Sequence, residues 1–287
     1  GQDHAVDNVC NAICIGRAGI GDKLKPVGSF LFCGPTGCGK TELAKQLATQ
    51  LGINFVRFDM SEYSEKHTVS KLIGSPPGYV GFEQSGLLTE AILRTPHCVL
   101  LLDEIEKAHA DVYNILLQIM DYGTLTDNNG RKADFRNTII IMTSNVGARA
   151  MSNENIGFAA DSQKYMETRR EVEKFFTPEF RNRLDDTVYF NALTYELMTE
   201  IVKKFMARLG VDLLEKHITL KINDKAVDYL AKKGFDPKMG ARPLERLIKR
   251  EIQRVLASEI IFGKLANGGQ VAINANKNGL TFRYRAT

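Results

Sequence analysis

The stretch GPTGCGKT, residues 34 to 41, sits directly after the apolar run SFLFC, residues 29 to 33. It satisfies the pattern G-x-x-x-x-G-K-[ST] in full, between a predicted strand and a predicted helix, the setting in which that pattern forms a phosphate-binding loop. Gly34, Gly37 and Gly39 free the backbone to fold its N–H groups inward around phosphate, and Pro35, Thr36 and Cys38 complete the turn. The helix that follows adds its positive N-terminus. Lys40 reaches the β and γ phosphates of ATP, or the β phosphate of ADP, and the Thr41 hydroxyl takes Mg²⁺. A lysine merely solvated at the surface is the weaker reading once this context is met.

Outward from the loop, residues 1 to 190 alternate apolar runs with helical patterns. The runs INFVRF (53–58), CVLLL (98–102), TIIIMT (138–143) and TVYF (187–190) join SFLFC as five predicted strands. Because they are almost uninterruptedly apolar, they suit strands buried on both faces. The predicted fold is α/β: a five-stranded parallel sheet with helices on both faces. After residue 190 the pattern changes. TYELMTEIVKKFMARLGVDLLEKH (194–217) reads as a helix, and Leu244, Leu247, Ile248, Ile252, Val255, Leu256 and Ile260 keep helical spacing through another. Two alternating strands, QVAINA and LTFRYR, close the chain. The expectation is a large nucleotide-binding domain over 1–190 and a smaller, mainly helical domain over 191–287. The polar stretch 147–165, with NIGF inside it, reads as a surface loop.

Further candidates stand at strand ends. VLLLDE delivers Asp103 and Glu104 to the carboxyl edge of the sheet, where ligands of open α/β sheets bind. Asp103 can hold Mg²⁺ and Glu104 can polarise an attacking water. Alone, the pair would as readily be a helix cap. Beside a complete phosphate loop, a carboxylate next to the metal ligand favours nucleotide hydrolysis over transfer to a substrate hydroxyl. MTSN leaves Asn145 at the same edge, a turn former in isolation, and here able to hydrogen-bond the water or the γ phosphate. TPEFRNRLD carries Arg181 and Arg183, and MGARPLERL carries Arg242. A guanidinium at developing phosphoryl charge speeds transfer, whether supplied in cis or by a neighbour. A surface salt bridge is the bland alternative for each. GSPPGYVGF (74–82) places Tyr79 on a glycine-rich loop without periodicity, where an isolated tyrosine would usually tuck into a core.

Bulk composition excludes several classes. With 38 basic and 34 acidic residues the net charge is +4, mild and dispersed, so nucleic acid is not an expected partner. No run of about 18 apolar residues could span a membrane, and GQDHAVDNVC is too polar for a signal peptide, which predicts a cytoplasmic protein without a membrane partner. Five cysteines, at 10, 14, 33, 38 and 98, form no paired framework. Cys10 and Cys14 could share a helix face, and small buried thiols are the favoured reading over a metal pair. The start, amphipathic within a few residues, suggests a piece of a longer chain.

Taken in order, GPTGCGKT, LLLDEIEKAH, TSN, FTPEFRNRLD and MGARPLERL resemble the second ATPase module of the Clp/Hsp100 branch of AAA+ proteins, across essentially all 287 residues. The motifs are specific jointly rather than singly. The resemblance implies nucleotide held between a large and a small domain, and a homo-hexameric ring. It gives Asn145 the sensor-1 place, Arg242 the sensor-2 place, and Arg183 the arginine finger reaching the next subunit, with Arg181 the lesser candidate. It makes Gly78, Tyr79, Val80 and Gly81 a pore loop that grips unfolded or tagged protein substrates, so Tyr79 would be exposed by function. It also makes EKHTVS (65–70) a second channel loop. Ile156, Gly157 and Phe158 are similar to the tip with which unfoldases of this branch dock on a ClpP-type peptidase, which disaggregases of the ClpB type lack. The flanking sequence is similar to the ClpA type more than the ClpC type, although Phe158 stands where ClpA carries leucine. The implied activity is ATP-driven unfolding and threading into a peptidase; a ClpC-like unfoldase or a ClpB-like disaggregase without a peptidase is the alternative. A nucleic-acid motor on the same fold is disfavoured by GYVG and the near-neutral charge.

Overall fold

The computed structural model describes residues 1–75, 85–148, 158–236 and 239–285. The chain divides into two compact units, one of Gln2–Pro35 with Gly39–Asn191, the other of Ala192–Thr287 with Gly1 and Thr36–Cys38.

The first unit is built on strands β1 (Gly28–Cys33), β2 (Asn54–Asp59), β3 (Cys98–Asp103), β6 (Ile139–Ser144) and β7 (Asp186–Tyr189), with the short antiparallel pair β4 (Thr124–Thr126) and β5 (Lys132–Asp134) between β3 and β6. The five long strands form one parallel sheet in the order β2-β3-β6-β1-β7. Every residue of β1, β3 and β6 is buried, as their unbroken apolar runs require of central strands covered on both faces. The edge strand β2 departs from that expectation: its residues are exposed or half-buried, and Arg57 interrupts the run. Helices α1 (Asp3–Arg17), α2 (Lys40–Leu51), α3 (Lys66–Ile73), α4 (Leu87–Arg94), α5 (Ala110–Tyr122), α6 (Phe158–Phe175) and α7 (Pro178–Arg181) flank the sheet. Local signals set α5. His109 caps it by accepting the Asp111 N–H, Gly123 ends it in the left-handed region, and Val112, Leu116, Ile119 and Met120 point into the core. There they meet Leu100, Met142, Phe135 and Phe176.

Three local readings are corrected. The stretch 147–165 is not wholly a loop, because α6 begins at Phe158. EKHTVS is mostly helical: α3 starts at Lys66 and buries Val69 and Leu72. Cys10 and Cys14 are exposed on α1, whose buried face is Ala5, Val9 and Ile13, whereas Cys33, Cys38 and Cys98 are buried.

In the second unit, α8 (Tyr195–Leu214), β8 (Ile218–Ile222), α9 (Asp224–Gly234), α10 (Arg242–Ile248) and α11 (Arg254–Phe262) precede β9 (Gly269–Asn276) and β10 (Gly279–Arg285). The side chains of Thr194 and Asn223 cap α8 and α9. A π-helical turn, Lys249–Gln253, joins α10 to α11, so the periodic run from Leu244 to Ile260 is one rod with one widened turn. The strands form a three-stranded sheet, β10-β9-β8, parallel between β8 and β9. This unit has its own core, centred on Val202, Leu230, Leu244, Ile252 and Val271.

Candidate active site

Three adjacent strands deliver the site. β6 lies between β3 and β1, with Leu102 beside Met142 and Cys33 beside Ser144. The phosphate loop, the Asp103–Glu104 pair and Asn145 therefore leave the sheet at one carboxyl edge.

In the loop, Gly34, Gly37 and Gly39 all have positive φ, 155°, 73° and 110°. Gly39 is the left-handed N-cap of α2, and a Cβ on Gly34 would stand 2.6 Å from the Phe190 carbonyl oxygen. Only glycine satisfies both demands. Lys40, the first residue of α2, is 7% exposed and donates to the carbonyl oxygens of Gly34 (2.6 Å) and Pro35 (2.9 Å) and to Asn145 Oδ1 (3.0 Å). A buried ammonium is held by oxygen acceptors in this way, since burial without them is costly. Thr41 follows, half-buried, and Cys38 is buried.

Asp103 is 6% exposed; Oδ2 accepts from Arg57 at 2.6 Å and Oδ1 accepts from the Thr143 hydroxyl. Thr143 also accepts the Glu104 backbone N–H at 3.0 Å. Glu104 has a left-handed backbone (φ 58°, ψ 49°), rare for a residue with a Cβ and concentrated at functional sites. Its carboxylate pairs with Lys107, whose ammonium pKa the hydrogen bond and charge of Glu104 raise. Arg57 and Thr143 were missed by linear reading; both reach Asp103 from neighbouring strands. Glu106, inside LLLDEIEKAH, carries no motif signal of its own, and its Oε1 accepts the Asn145 backbone N–H at 3.1 Å.

The donor set fits Mg²⁺. A hydroxyl and a carboxylate are the hard oxygen ligands that ion takes, and it usually relies on one or two carboxylates plus substrate phosphate. Each Asp103 oxygen retains a lone pair beyond the bond it accepts. Among the described residues no group of three or more His, Cys, Asp or Glu side chains is arranged to hold a metal by itself.

Arg183 lies just after α7 and is held by Asp121, Nε to its oxygens at 2.7 and 2.9 Å, and by Glu179 at 3.3 Å. Arg181 donates to the Phe176 carbonyl oxygen at 3.1 Å. Arg242 is the exposed first residue of α10 in the second unit. Gly78, Tyr79, Val80 and Gly81, and Ile156 and Gly157, lie outside the described residues; Phe158 is the first residue of α6.

A glycine loop on a buried lysine, beside an acidic pair on the next strand but one, defines a P-loop nucleotide hydrolase. The description "AAA domain (Cdc48 subfamily)" matches residues 25–187, and "C-terminal, D2-small domain, of ClpB protein" matches residues 193–273. The chain belongs to the AAA ATPase family, as a Clp/Hsp100 second-ATPase module. It is similar to a "ClpA homolog protein" of Fuscovulum blasticum, 53% identical over 285 residues, 99% of this chain and 36% of the relative. It is likewise similar to the "Chaperone protein ClpB" of Meiothermus ruber, 49% identical over 295 residues, 100% of this chain and 34% of the relative. The corresponding protein of Oceanobacillus iheyensis is 48% identical over 289 residues, 97% and 36%. The chain thus spans about a third of the length of the curated relatives it matches.

Proposed function

We propose that this module hydrolyses ATP at the carboxyl edge of the five-stranded sheet and couples the cycle to threading a protein substrate through the pore of a homo-hexamer. The observation that carries the reading is the convergence of Lys40, Asp103, Glu104 and Asn145 at the ends of β1, β3 and β6. Gly34 to Thr41 cradle the phosphates of ATP or ADP, and Lys40 exchanges its carbonyl partners for phosphate oxygens. Thr41 and Asp103 would hold Mg²⁺, and that ion would supply positive charge to offset developing phosphoryl charge. Glu104, placed over the edge by its left-handed backbone, accepts a proton from the water it orients. Asn145 presents its amide to that water or to the γ phosphate. Arg242 acts within its own subunit and Arg183 on the neighbour's site, for which it must leave or share Asp121. The large domain is 1–190 and the small one 191–287.

Tyr79 and Val80, between Gly78 and Gly81, grip the substrate in the pore. Ile156, Gly157 and Phe158 dock on a ClpP-type peptidase, giving a ClpA-like unfoldase. The match of residues 193–273 to a ClpB small domain and the ClpB relatives favour a second reading equally, a disaggregase without a peptidase. No helix among the described residues is long and apolar enough to cross a membrane, and a cytoplasmic setting fits this activity. The test is co-purification of the full-length chain with ClpP, with and without Ile156 to Phe158. Capture that depends on the tripeptide supports the peptidase reading; absence of capture together with refolding of aggregated client supports the disaggregase.

A further inference from the structure

Glu106 has no part in the chemistry above, yet it sits inside it. Its Oε1 accepts the Asn145 N–H at 3.1 Å, while Oε2 is buried with no hydrogen-bond partner among the described residues. A buried carboxylate oxygen without a partner lowers stability, and such exceptions concentrate where function demands them. Asn145 passes the constraint on, since its Oδ1 accepts the Lys40 ammonium at 3.0 Å. Glu106 rides on the single 3₁₀ turn Ile105–Lys107 that Glu104 caps, and the Tyr113 hydroxyl donates to the Ile105 carbonyl oxygen at 2.7 Å, fastening that turn to α5. One short turn therefore sets the Glu104 backbone and plants Glu106 against the first residue after β6.

We propose that Glu106 is a positioning residue for hydrolysis. It fixes the Asn145 backbone so that only the amide side chain turns between Lys40 and the γ phosphate, and it acts through Asn145 without touching substrate. The inference rests on the reading that Asn145 orients the water or the γ phosphate. Binding is left largely alone, because the Gly34 and Pro35 carbonyl oxygens still hold Lys40 in place until phosphate replaces them.

The test compares Glu106→Ala, Glu106→Gln and Glu104→Gln in the full-length chain by steady-state ATP hydrolysis, affinity for a fluorescent ADP and thermal midpoint. Glu106→Ala should lower kcat about ten- to a hundredfold with KM and ADP affinity within about threefold. Its thermal midpoint should not fall. Glu106→Gln keeps an oxygen for the Asn145 N–H and should recover kcat to within about threefold of the parent. A Gln variant as slow as Ala overturns the hydrogen-bond role. So does an Ala variant that loses ADP affinity and midpoint along with kcat. Parental kcat in Glu106→Ala beside an inactive Glu104→Gln overturns the role of Glu106 alone, whereas parental kcat in both overturns the site itself.

Discussion

Thr143 serves two carboxylate residues at once, donating to Asp103 and accepting from the Glu104 N–H, at a position 1% exposed. Thr143→Val keeps the shape and removes both bonds, so it should cost about 1–3 kcal/mol of stability for the buried groups left unpaired. It should also slow hydrolysis, because the left-handed Glu104 backbone loses its acceptor. Thr143→Ser should recover both; denaturant midpoints and ATPase rates for the two variants check this, and a Val variant equal to the parent would remove Thr143 from the site. Lys107 is the exposed partner of Glu104. Its folded-state pKa is raised above the ordinary value of 10.5, so its pairing is complete below that value and is lost only as pH rises through the higher one. Lys107→Met should therefore leave the shape of the pH–rate profile unchanged between about pH 6 and 9. A limb that moves in that window would show that the Lys107 charge tunes a group titrating there. The phosphate loop, Asp103, Glu104 and Asn145 were legible because each follows an apolar run inside a local motif. Arg57 and Thr143 were not, because their meaning comes from β2, β3 and β6 being neighbours in space, an order the linear text does not state.

The same contrast holds for whole elements. β1, β3 and β6 announce themselves because central strands carry no polar interruption, whereas β8 has only five residues and alternates, with Ile218 buried and Thr219 and Lys221 exposed. α6 escaped notice for another reason. It is mostly polar, and along its described face Thr168 and Val172 are the buried residues, too narrow a stripe to stand out. Two tests belong at this scale. Gly34→Ala adds a Cβ at positive φ against the Phe190 carbonyl, so it should weaken nucleotide affinity and lower stability by about 1 kcal/mol or more. Isothermal titration and a melt decide it, and an Ala variant binding like the parent would show the loop does not need this geometry. In native protein a thiol reagent should label Cys10 and Cys14 on the open face of α1 and spare the buried Cys33, Cys38 and Cys98, burial having pushed the Cys98 thiol up to about 11. Labelling of all five before denaturation would contradict the packing of the sheet.

At the scale of the molecule, two separate cores mean that each unit is stabilised by its own apolar contacts. Mg²⁺ with ADP at a hundredfold excess over Kd should add about 2.7 kcal/mol to the unit that binds it. Lys40→Ala should abolish that increment. On the proposed pore reading, Tyr79→Ala should cripple unfolding of a folded client in the assembled protein while ATP hydrolysis continues, since that reading puts grip and chemistry at different places. The central claim is that Glu104 activates water beside an intact nucleotide-binding loop, and steady-state ATP hydrolysis by Glu104→Gln, with ATP affinity measured on the same preparation, tests it most directly. The account predicts affinity within about threefold of the parent and turnover reduced at least a hundredfold; a variant that binds ATP and hydrolyses it at the parental rate would contradict it.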